Sequence, residues 1–216
     1  KPQPVNTPYT PEKMKEVMTN FFVESYVGDT PTHYYSGVEL RTATCDNTDV
    51  AEVGFVGRTL LNAFNALEYG EQNGRADLVS NANSIFDTYQ ANGFSKGGFF
   101  NEVVHYKRNS VEAVHSIRRQ SEGVYAILHY LNYERSKGRK HLDWEKKVRV
   151  MLDIFLRLQN QDGSFPRKFR DDFSIVDKSG GSTPSATLPL VLGYKYFKDK
   201  RYLASAKKTV DYLEKE

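Results

Sequence analysis

Two glutamates are the strongest candidates for chemistry in this 216-residue sequence. Glu52 lies in "DVAEVGF" and Glu122 in "HSIRRQSEG", and an apolar run follows each of them. A pair of carboxyl groups suits general acid–base chemistry, in which one group gives a proton and the other accepts one. An acid in the first turn of a helix is also explained by the helix dipole alone. We predict Glu122 and Glu52 as catalytic residues, with a purely structural role as the alternative.

Polar side chains around these glutamates are candidates for binding a ligand. The stretch that holds Glu122 also supplies His115, Arg119 and Gln120, and a basic run starts at Arg167. Guanidinium groups hold carboxylates or sulfates through paired hydrogen bonds, and helix N-termini favour anions. The alternative is that the cations are solvated or pair with nearby acids. The cations in question are Arg118, Arg119, Arg167, Lys168 and Arg170.

A second constellation suggests different chemistry. The stretch "NEVVHYKRN" offers Asn101, His105 and Tyr106, with His115 and Arg119 further along. Tyr or His could remove a proton from carbon while Asn, His or Arg neutralises a neighbouring carboxylate, as β-elimination requires. The alternation in "FFNEVVHYK" predicts instead a strand whose side chains simply pack. We keep Tyr106 as a candidate for substrate binding.

Composition excludes several classes of protein. With 39% hydrophobic and 26% charged residues, the sequence is typical of a globular domain. A net charge of +3, with acids and bases mixed, argues against nucleic-acid binding, and no apolar run is long enough to cross a membrane. The one cysteine, Cys45, excludes an internal disulfide. The histidines lack metal-ligand spacing, and phosphate-binding and nucleophile motifs are missing, so we expect no metal and no cofactor.

The elements that must position these residues are helices of two kinds. Residues 49–69, 122–133 and 184–197 are apolar on nearly every side, which is typical of buried helices. Residues 76–90, 142–159 and 202–213 have one apolar stripe and one charged side. Residues 1–48 are predicted to contain a helix over 10–27 and a long loop with a short strand near 38–41.

Short turns join each buried helix to the amphipathic helix that follows it. The unit of two helices occurs three times, over about residues 49–100, 121–166 and 184–216. The pattern predicts an all-α fold of antiparallel helical hairpins in two layers. Longer loops, over residues 45–52, 94–122 and 164–185, return from one hairpin to the next and hold most of the candidate residues. We expect one domain over residues 1–216, with three hairpins over 49–216.

These hairpins, and the helix exit "LQNQDGSFP", resemble the (α/α) toroid proteins, especially the six-hairpin glycosidase superfamily. The resemblance implies that the return loops line the mouth of a central cavity. It also implies a carbohydrate substrate, because Glu52 and Glu122 would serve as the carboxyl pair of a glycosidase. The superfamily hosts several activities, so the fold alone does not select one. A closed ring of six hairpins needs about twice this length, so we expect an incomplete toroid and a longer polypeptide.

The function that we predict is a glycoside hydrolase acting on an oligosaccharide or polysaccharide, with acidic sugars as one option. A polysaccharide lyase using Tyr, His and Arg is one alternative, and a non-catalytic toroid that binds glycan or protein is another. The chain opens on Lys1 rather than Met, which is typical of a processed or trimmed product. We expect a periplasmic or extracellular location, and the sequence leaves the cytoplasm open.

Overall fold

Seven α-helices and two small antiparallel sheets make up the structure, a computed structural model that describes residues 9–215. Within residues 9–215, helices account for 55% of the residues and strands for 15%. The predicted hairpins are therefore present, while the all-α description omits the two sheets. Most strands lie in the return loops between hairpins, where the sequence pattern predicts only loops and one or two short strands.

The N-terminal part follows the prediction closely. Helix α1, Pro11–Ser25, begins after Thr10, whose side chain accepts a hydrogen bond of 3.2 Å from the backbone of Lys13. Strand β1, Tyr26–Val27, follows at once and pairs with strand β2, Gly37–Arg41. The predicted short strand near residues 38–41 is thus confirmed as β2.

The first predicted buried helix begins later than expected. Residues 49–52 belong to strand β3, Asn47–Glu52, which pairs with β2. Helix α2 begins only at Thr59 and runs Thr59–Asn73. A short apolar run fits a buried strand as well as a buried helix, because periodicity alone does not separate the two. The predicted place of Glu52 in the first turn of a helix is therefore wrong, because the residue lies at the end of a strand.

Three helical hairpins follow, and the boundaries of their outer helices are close to those predicted. The helices of an inner layer lie side by side, and those of an outer layer pack behind them. The inner helices are α2, α4 at Ile117–Ser136 and α6 at Thr187–Phe197, the last preceded by a 3₁₀ turn at Thr183–Ala186. The outer helices are α3 at Ala76–Asn92, α5 at Leu142–Leu158 and α7 at Lys200–Leu213.

The sheets tie the return loops together at the end where the inner helices begin. One sheet has the order β1-β2-β3-β4-β5, with β4 at Val103–His105 and β5 at Ser110–Val111. The other has the order β6-β7-β8, at Val114–Ser116, Lys168–Arg170 and Ile175–Asp177. Glu52 pairs with Val103 in the first sheet, and His115 pairs with Phe169 in the second. The sheets thereby bring residues that are distant in sequence to the end of the structure where the inner helices begin, which we call the mouth.

The core lies between the two helix layers. Phe86 of α3 stacks on Tyr130 of α4 with ring centroids 3.9 Å apart, and Val148, Met151 and Phe155 of α5 are fully buried. Each buried side chain of this size contributes about 1.5–3 kcal/mol before conformational entropy is subtracted. The outward faces of the inner helices are therefore held firmly, which leaves their opposite faces to form a concave surface.

Helix α1 packs less completely than the hairpins. Phe22 is its buried apolar residue, whereas Met18 is 68% exposed and Phe21 is 44% exposed. A groove with apolar walls runs between this helix and α2, bordered by Val38 and Tyr69. Within residues 9–215, none of the helices combines the length and the hydropathy that crossing a bilayer would need.

Candidate functional site

The end of strand β3 and the first turns of helix α4 meet at an ion pair. Arg119 donates from Nη2 to Oε1 of Glu52 over 2.7 Å. The Glu52 side chain is 9% exposed, and its Oε2 is buried without a hydrogen-bond partner among the described residues. The backbone turn after β3 allows this approach, because Gly54 lies so close to helix α4 that an added Cβ would be 2.7 Å from the Cα of Arg119.

A third carboxylate, which the sequence pattern does not single out, joins this pair. Glu102 is fully buried, and its Oε1 lies 3.6 Å from Nη1 of Arg119. It escapes sequence reasoning because it stands in the apolar stretch "FFNEVV", which is typical of a packed strand. The residue type itself is the signal that could have identified Glu102. A glutamate inside an apolar strand is seldom fully buried without a charged partner, so its presence there predicts one.

Gln120 holds Glu102 in place. Its Nε2 donates to Oε2 of Glu102 over 2.8 Å and to the backbone oxygen of Phe100 over 2.9 Å. Its Oε1 accepts from the backbone N–H of Phe100 over 2.8 Å. Gln120 is fully buried, so in this structure it acts on the site by orienting Glu102. The sequence predicts it as a substrate-binding residue, and that role stays a prediction.

Burial raises the pKa of Glu102 to about 7, although the hydrogen bond from Gln120 and the charge of Arg119 both oppose the change. The guanidinium lies 3.6 Å from one oxygen of Glu102 and 2.7 Å from Glu52, so its charge is shared. A carboxyl group of this kind holds a proton over much of the range in which ordinary glutamates are ionised. Glu102 therefore places a carboxyl group that can donate a proton beside Arg119.

Glu122 lies on α4, one helical turn after Arg118, and is surrounded by hydrogen-bond donors. Its Oε1 accepts from Nε of Arg118 over 3.1 Å, and its Oε2 accepts from the backbone N–H of Phe55. Arg58 approaches within 3.5 Å of the same Oε2. At 23% exposure the Glu122 side chain is more open than that of Glu52. Each carboxylate oxygen can accept more than one hydrogen bond, so capacity for water or a hydroxyl group remains.

The structure corrects the predicted position of Glu122 within its helix. Helix α4 begins at Ile117, directly after strand β6, so Glu122 lies in the second turn and not in the first. Ser121 is buried inside the helix and is not its cap. The polar stretch "SIRRQ" is typical of a loop, yet its arginines pair with glutamates and its glutamine is buried. Glu52 and Glu122 are thus brought near each other by different elements.

We name six residues the carboxylate–arginine cluster: Glu52, Glu102, Glu122, Arg58, Arg118 and Arg119. The ring of Phe55 lies among them, 4.6 Å from the guanidinium carbon of Arg118 and 5.7 Å from that of Arg119. Phe55 adopts a positive φ of 62°, which places it in the tight turn between β3 and α2. The cluster combines acceptors, donors and one aromatic ring, and its side chains range from fully buried Glu102 to half-exposed Arg58.

His115 and Arg167 lie in or beside the second sheet and make other contacts. His115 is 1% exposed, and its Nε2 lies 2.8 Å from Oδ1 of Asp171. Burial lowers the pKa of His115 against the opposing effect of Asp171. Arg167 donates from Nε to Asp177 over 2.6 Å. Arg167 therefore pairs with a nearby acid, which is the alternative to ligand binding given above for the basic run.

Tyr106 lies apart from the carboxylate–arginine cluster. It packs with Ala51 and Val104, which point to the opposite face of the sheet from Glu52, and is 5% exposed. Burial raises the pKa of its hydroxyl well above the usual range. The predicted strand through this stretch is confirmed as β4. Tyr106 is consequently placed as a packing residue, away from the cations that a substrate carboxylate would meet.

No group of three or more His, Cys, Asp or Glu side chains within residues 9–215 is arranged to hold a metal ion. Cys45 is exposed and carries a positive φ of 65° in the turn before β3.

Comparison with solved structures places this architecture among sugar-processing enzymes. A D-mannose isomerase superposes with a TM-score of 0.66 at 13% identity, covering 97% of this chain and 51% of the other. The cellobiose 2-epimerase of Bacillus thermoamylovorans gives 0.67 at 13% identity, covering 94% and 53%. The unsaturated glucuronyl hydrolase of Bacillus sp. GL1 gives 0.63 at 15% identity, covering 92% and 53%. No family model matches the sequence, and no curated relative is found.

The chain therefore has the fold of the six-hairpin glycosidase-like toroid, as the sequence resemblance implied. It spans about half the length of the solved structures that it matches. By their names, those proteins act on mannose, on cellobiose and on glycosaminoglycan. At identities of 13–15% the likeness concerns the fold, and it does not transfer an activity.

Proposed function

We propose that this chain carries one wall of the active site of a carbohydrate-active enzyme, and that the enzyme is a glycoside hydrolase. The observation that supports this is the carboxylate–arginine cluster at the mouth of a half-toroid. Glycoside hydrolysis needs two carboxyl groups in unlike surroundings, so that one gives a proton and the other activates water or attacks carbon. Glu52 and Glu122 differ in exposure and in partners, which supports them as such a pair.

In this proposal Glu122 is the group that faces substrate. It is the more exposed carboxylate, it lies on the concave side of α4, and its donors hold its two oxygens in a fixed orientation. Glu52 is the partner acid, since its Oε2 is not engaged by any donor within residues 9–215. Arg119 joins Glu52 to Glu102 and so fixes the distance between the two inner carboxylates. The substrate is an oligosaccharide or polysaccharide.

Sugar isomerisation or epimerisation is the second candidate. His129 on α4 is half-buried on the concave side, and burial lowers its pKa while Glu68 opposes the change. An unprotonated imidazole could take a proton from a carbon next to a carbonyl group. Two of the three superposed enzymes are an isomerase and an epimerase, which is consistent with this chemistry. Polysaccharide lyase chemistry has less support, because Tyr106 is buried on the other face of the sheet.

The test is a turnover assay on a panel of oligosaccharides, with reducing-end release and proton NMR as the two readouts. Hydrolysis creates new reducing ends, whereas epimerisation changes the ring signals without creating any. We expect Glu122→Gln to reduce turnover about 100-fold or more, as loss of acid–base catalysis typically does. Glu16→Gln, an exposed change on α1, is the matched control. Full activity in both Glu122→Gln and Glu52→Gln would show that the cluster is not catalytic.

A further inference from the structure

Helix α4 presents a stripe of partly exposed side chains to the concave surface. Arg118, Glu122, Tyr125 and His129 follow spacings of four, three and four residues, which places them on one face. The opposite face is buried, and Tyr130 there stacks on Phe86 of the outer helix α3. Tyr125 and His129 therefore point away from the outer layer and lie on the same side as Glu122. The proposed function does not use Tyr125.

The aromatic part of this stripe continues onto the neighbouring inner helix. The rings of Tyr125 and His129 meet edge to face with centroids 4.4 Å apart. His129 lies 5.8 Å from the ring of Phe64 on α2, and Phe64 is 9% exposed. These two ring contacts hold His129 between α2 and α4, and the imidazole in turn packs against the ring of Tyr125. An aromatic side chain that is fixed but still half-exposed is suited to receive a flat apolar ligand face.

Phe55 differs from Tyr125 in what covers its ring. Phe55 is 42% exposed, but the guanidinium carbons of Arg118 and Arg119 lie 4.6 and 5.7 Å from its ring centroid. A face covered by cations is less accessible to a sugar. Within the part of the chain that the structure describes, the ring contact of Tyr125 comes from His129, in an edge-to-face arrangement that leaves a ring face uncovered by that neighbour.

The charges beside Tyr125 indicate which sugars fit. The cations of the carboxylate–arginine cluster are already paired, Arg118 and Arg58 with Glu122, and Arg119 with Glu52. Glu68 adds a further negative charge that acts on His129. A uronate would meet carboxylates here, with the guanidinium groups already engaged. A neutral pyranose instead offers hydroxyl donors to the carboxylates and an apolar ring face to Tyr125.

We propose that Tyr125, supported by His129 and Phe64, is a stacking subsite for a neutral pyranose unit whose hydroxyl groups are directed toward Glu122. This inference rests on the proposed function to the extent that both require a carbohydrate ligand. It narrows the substrate class from glycans in general, acidic ones included, to those with an uncharged sugar at this position.

The test measures binding by calorimetry and saturation-transfer NMR. The probes are cello-, malto-, manno- and xylo-tetraose and, as the charged comparison, tetragalacturonate. We expect a neutral tetrasaccharide to bind more tightly than the uronate. Tyr125→Ala should weaken that binding about ten-fold, while Tyr125→Phe keeps it. Tyr34→Ala removes a 60% exposed tyrosine outside the stripe and is the matched control. Circular dichroism checks that each variant is folded.

The outcomes separate this inference from the proposed function. If Tyr125→Ala binds as tightly as the wild type, or if tetragalacturonate binds more tightly than every neutral probe, the subsite is refuted. Binding of none of the neutral probes would refute it as well. A subsite lost in Tyr125→Ala together with full turnover in Glu122→Gln would instead sustain the subsite and overturn the catalytic assignment.

Discussion

Arg119 of helix α4 and Glu52 of strand β3 are joined by a hydrogen-bonded ion pair of 2.7 Å across 67 positions of sequence. The same guanidinium reaches toward Glu102 on its other side. One side chain therefore ties the first sheet to the second hairpin. Because both carboxylates are largely buried, the arrangement affects folding and the proposed chemistry together.

Replacing Arg119 by Met should destabilise the protein by about 3 kcal/mol, because removing one partner of a buried pair leaves an uncompensated charge. Urea unfolding monitored by circular dichroism measures the change. The double variant Arg119→Met/Glu52→Gln should recover part of the loss, since the orphaned carboxylate is then neutral. Additive effects of the two single changes would show that this pair is not coupled.

Glu102 should make stability depend on pH. Its pKa is raised in the folded state, so the folded protein binds more protons than the unfolded chain between the ordinary glutamate value of 4.5 and about 7. The free energy of unfolding contributed by this group is therefore fully present below 4.5 and decreases as the pH rises through about 7. The decrease is on the order of 3 kcal/mol, at about 1.4 kcal/mol per pKa unit.

Glu102→Gln isolates that dependence, because a glutamine resembles the protonated acid and does not titrate. From pH 4.5 to 7.5 the wild type should lose stability relative to the variant, because only the wild type has to ionise a buried carboxyl group. Chemical denaturation at several pH values gives the curve. The exposed change Glu112→Gln serves as a control for general charge effects. A constant difference across this range would contradict the raised pKa.

Gly54 should not tolerate a side chain. A Cβ there would lie 2.7 Å from the Cα of Arg119 and 2.8 Å from its carbonyl oxygen, and backbone atoms cannot rotate away. Gly54→Ala should cost about 1–3 kcal/mol and weaken the contact between β3 and α4. Gly181→Ala, in a return loop with open space around it, is the matched control. Equal melting temperatures for the two variants would show that the close approach does not exist in solution.

Asp171 should hold three mouth segments together. Its Oδ1 accepts from Ser95 over 2.5 Å and bonds His115 over 2.8 Å. Burial opposes ionisation, yet these hydrogen bonds lower its pKa below 3.8. Asp171→Asn should therefore destabilise the protein by about 1 kcal/mol at pH 7, a value kept small because the side chain is 43% exposed.

The deficit of Asp171→Asn relative to the wild type should shrink as the pH falls through the lowered pKa, because the wild-type carboxylate is then protonated too. Thermal unfolding between pH 2.5 and 7 measures this. Asp29→Asn, at an exposed position in the loop after β1, should show no such deficit at any pH in the range. A deficit for Asp171→Asn that is unchanged at pH 2.5 would assign the effect to shape and not to charge.

The sequence by itself determined the hairpins and their two layers. Apolar periodicity located α3 and α5 within two residues of their observed ends, because a helix with one apolar stripe must bury that stripe. The stretch "LQNQDGSFP" predicts the toroid through its resemblance to known toroid proteins. Such a motif is readable in sequence because the end of a helix is set by local turn chemistry. Residue type and a position before an apolar run identify Glu52 and Glu122 as candidates.

Only the tertiary structure decided what those residues contact. A strand and a helix of similar apolar content differ in their long-range partners, so β3 was recognised only through its pairing with β2 and β4. Glu102 was hidden because its burial depends on Gln120 and Arg119, which approach from another element. Ion pairs between distant segments require the folded backbone to bring the charges within a few ångströms, and no local pattern encodes that distance.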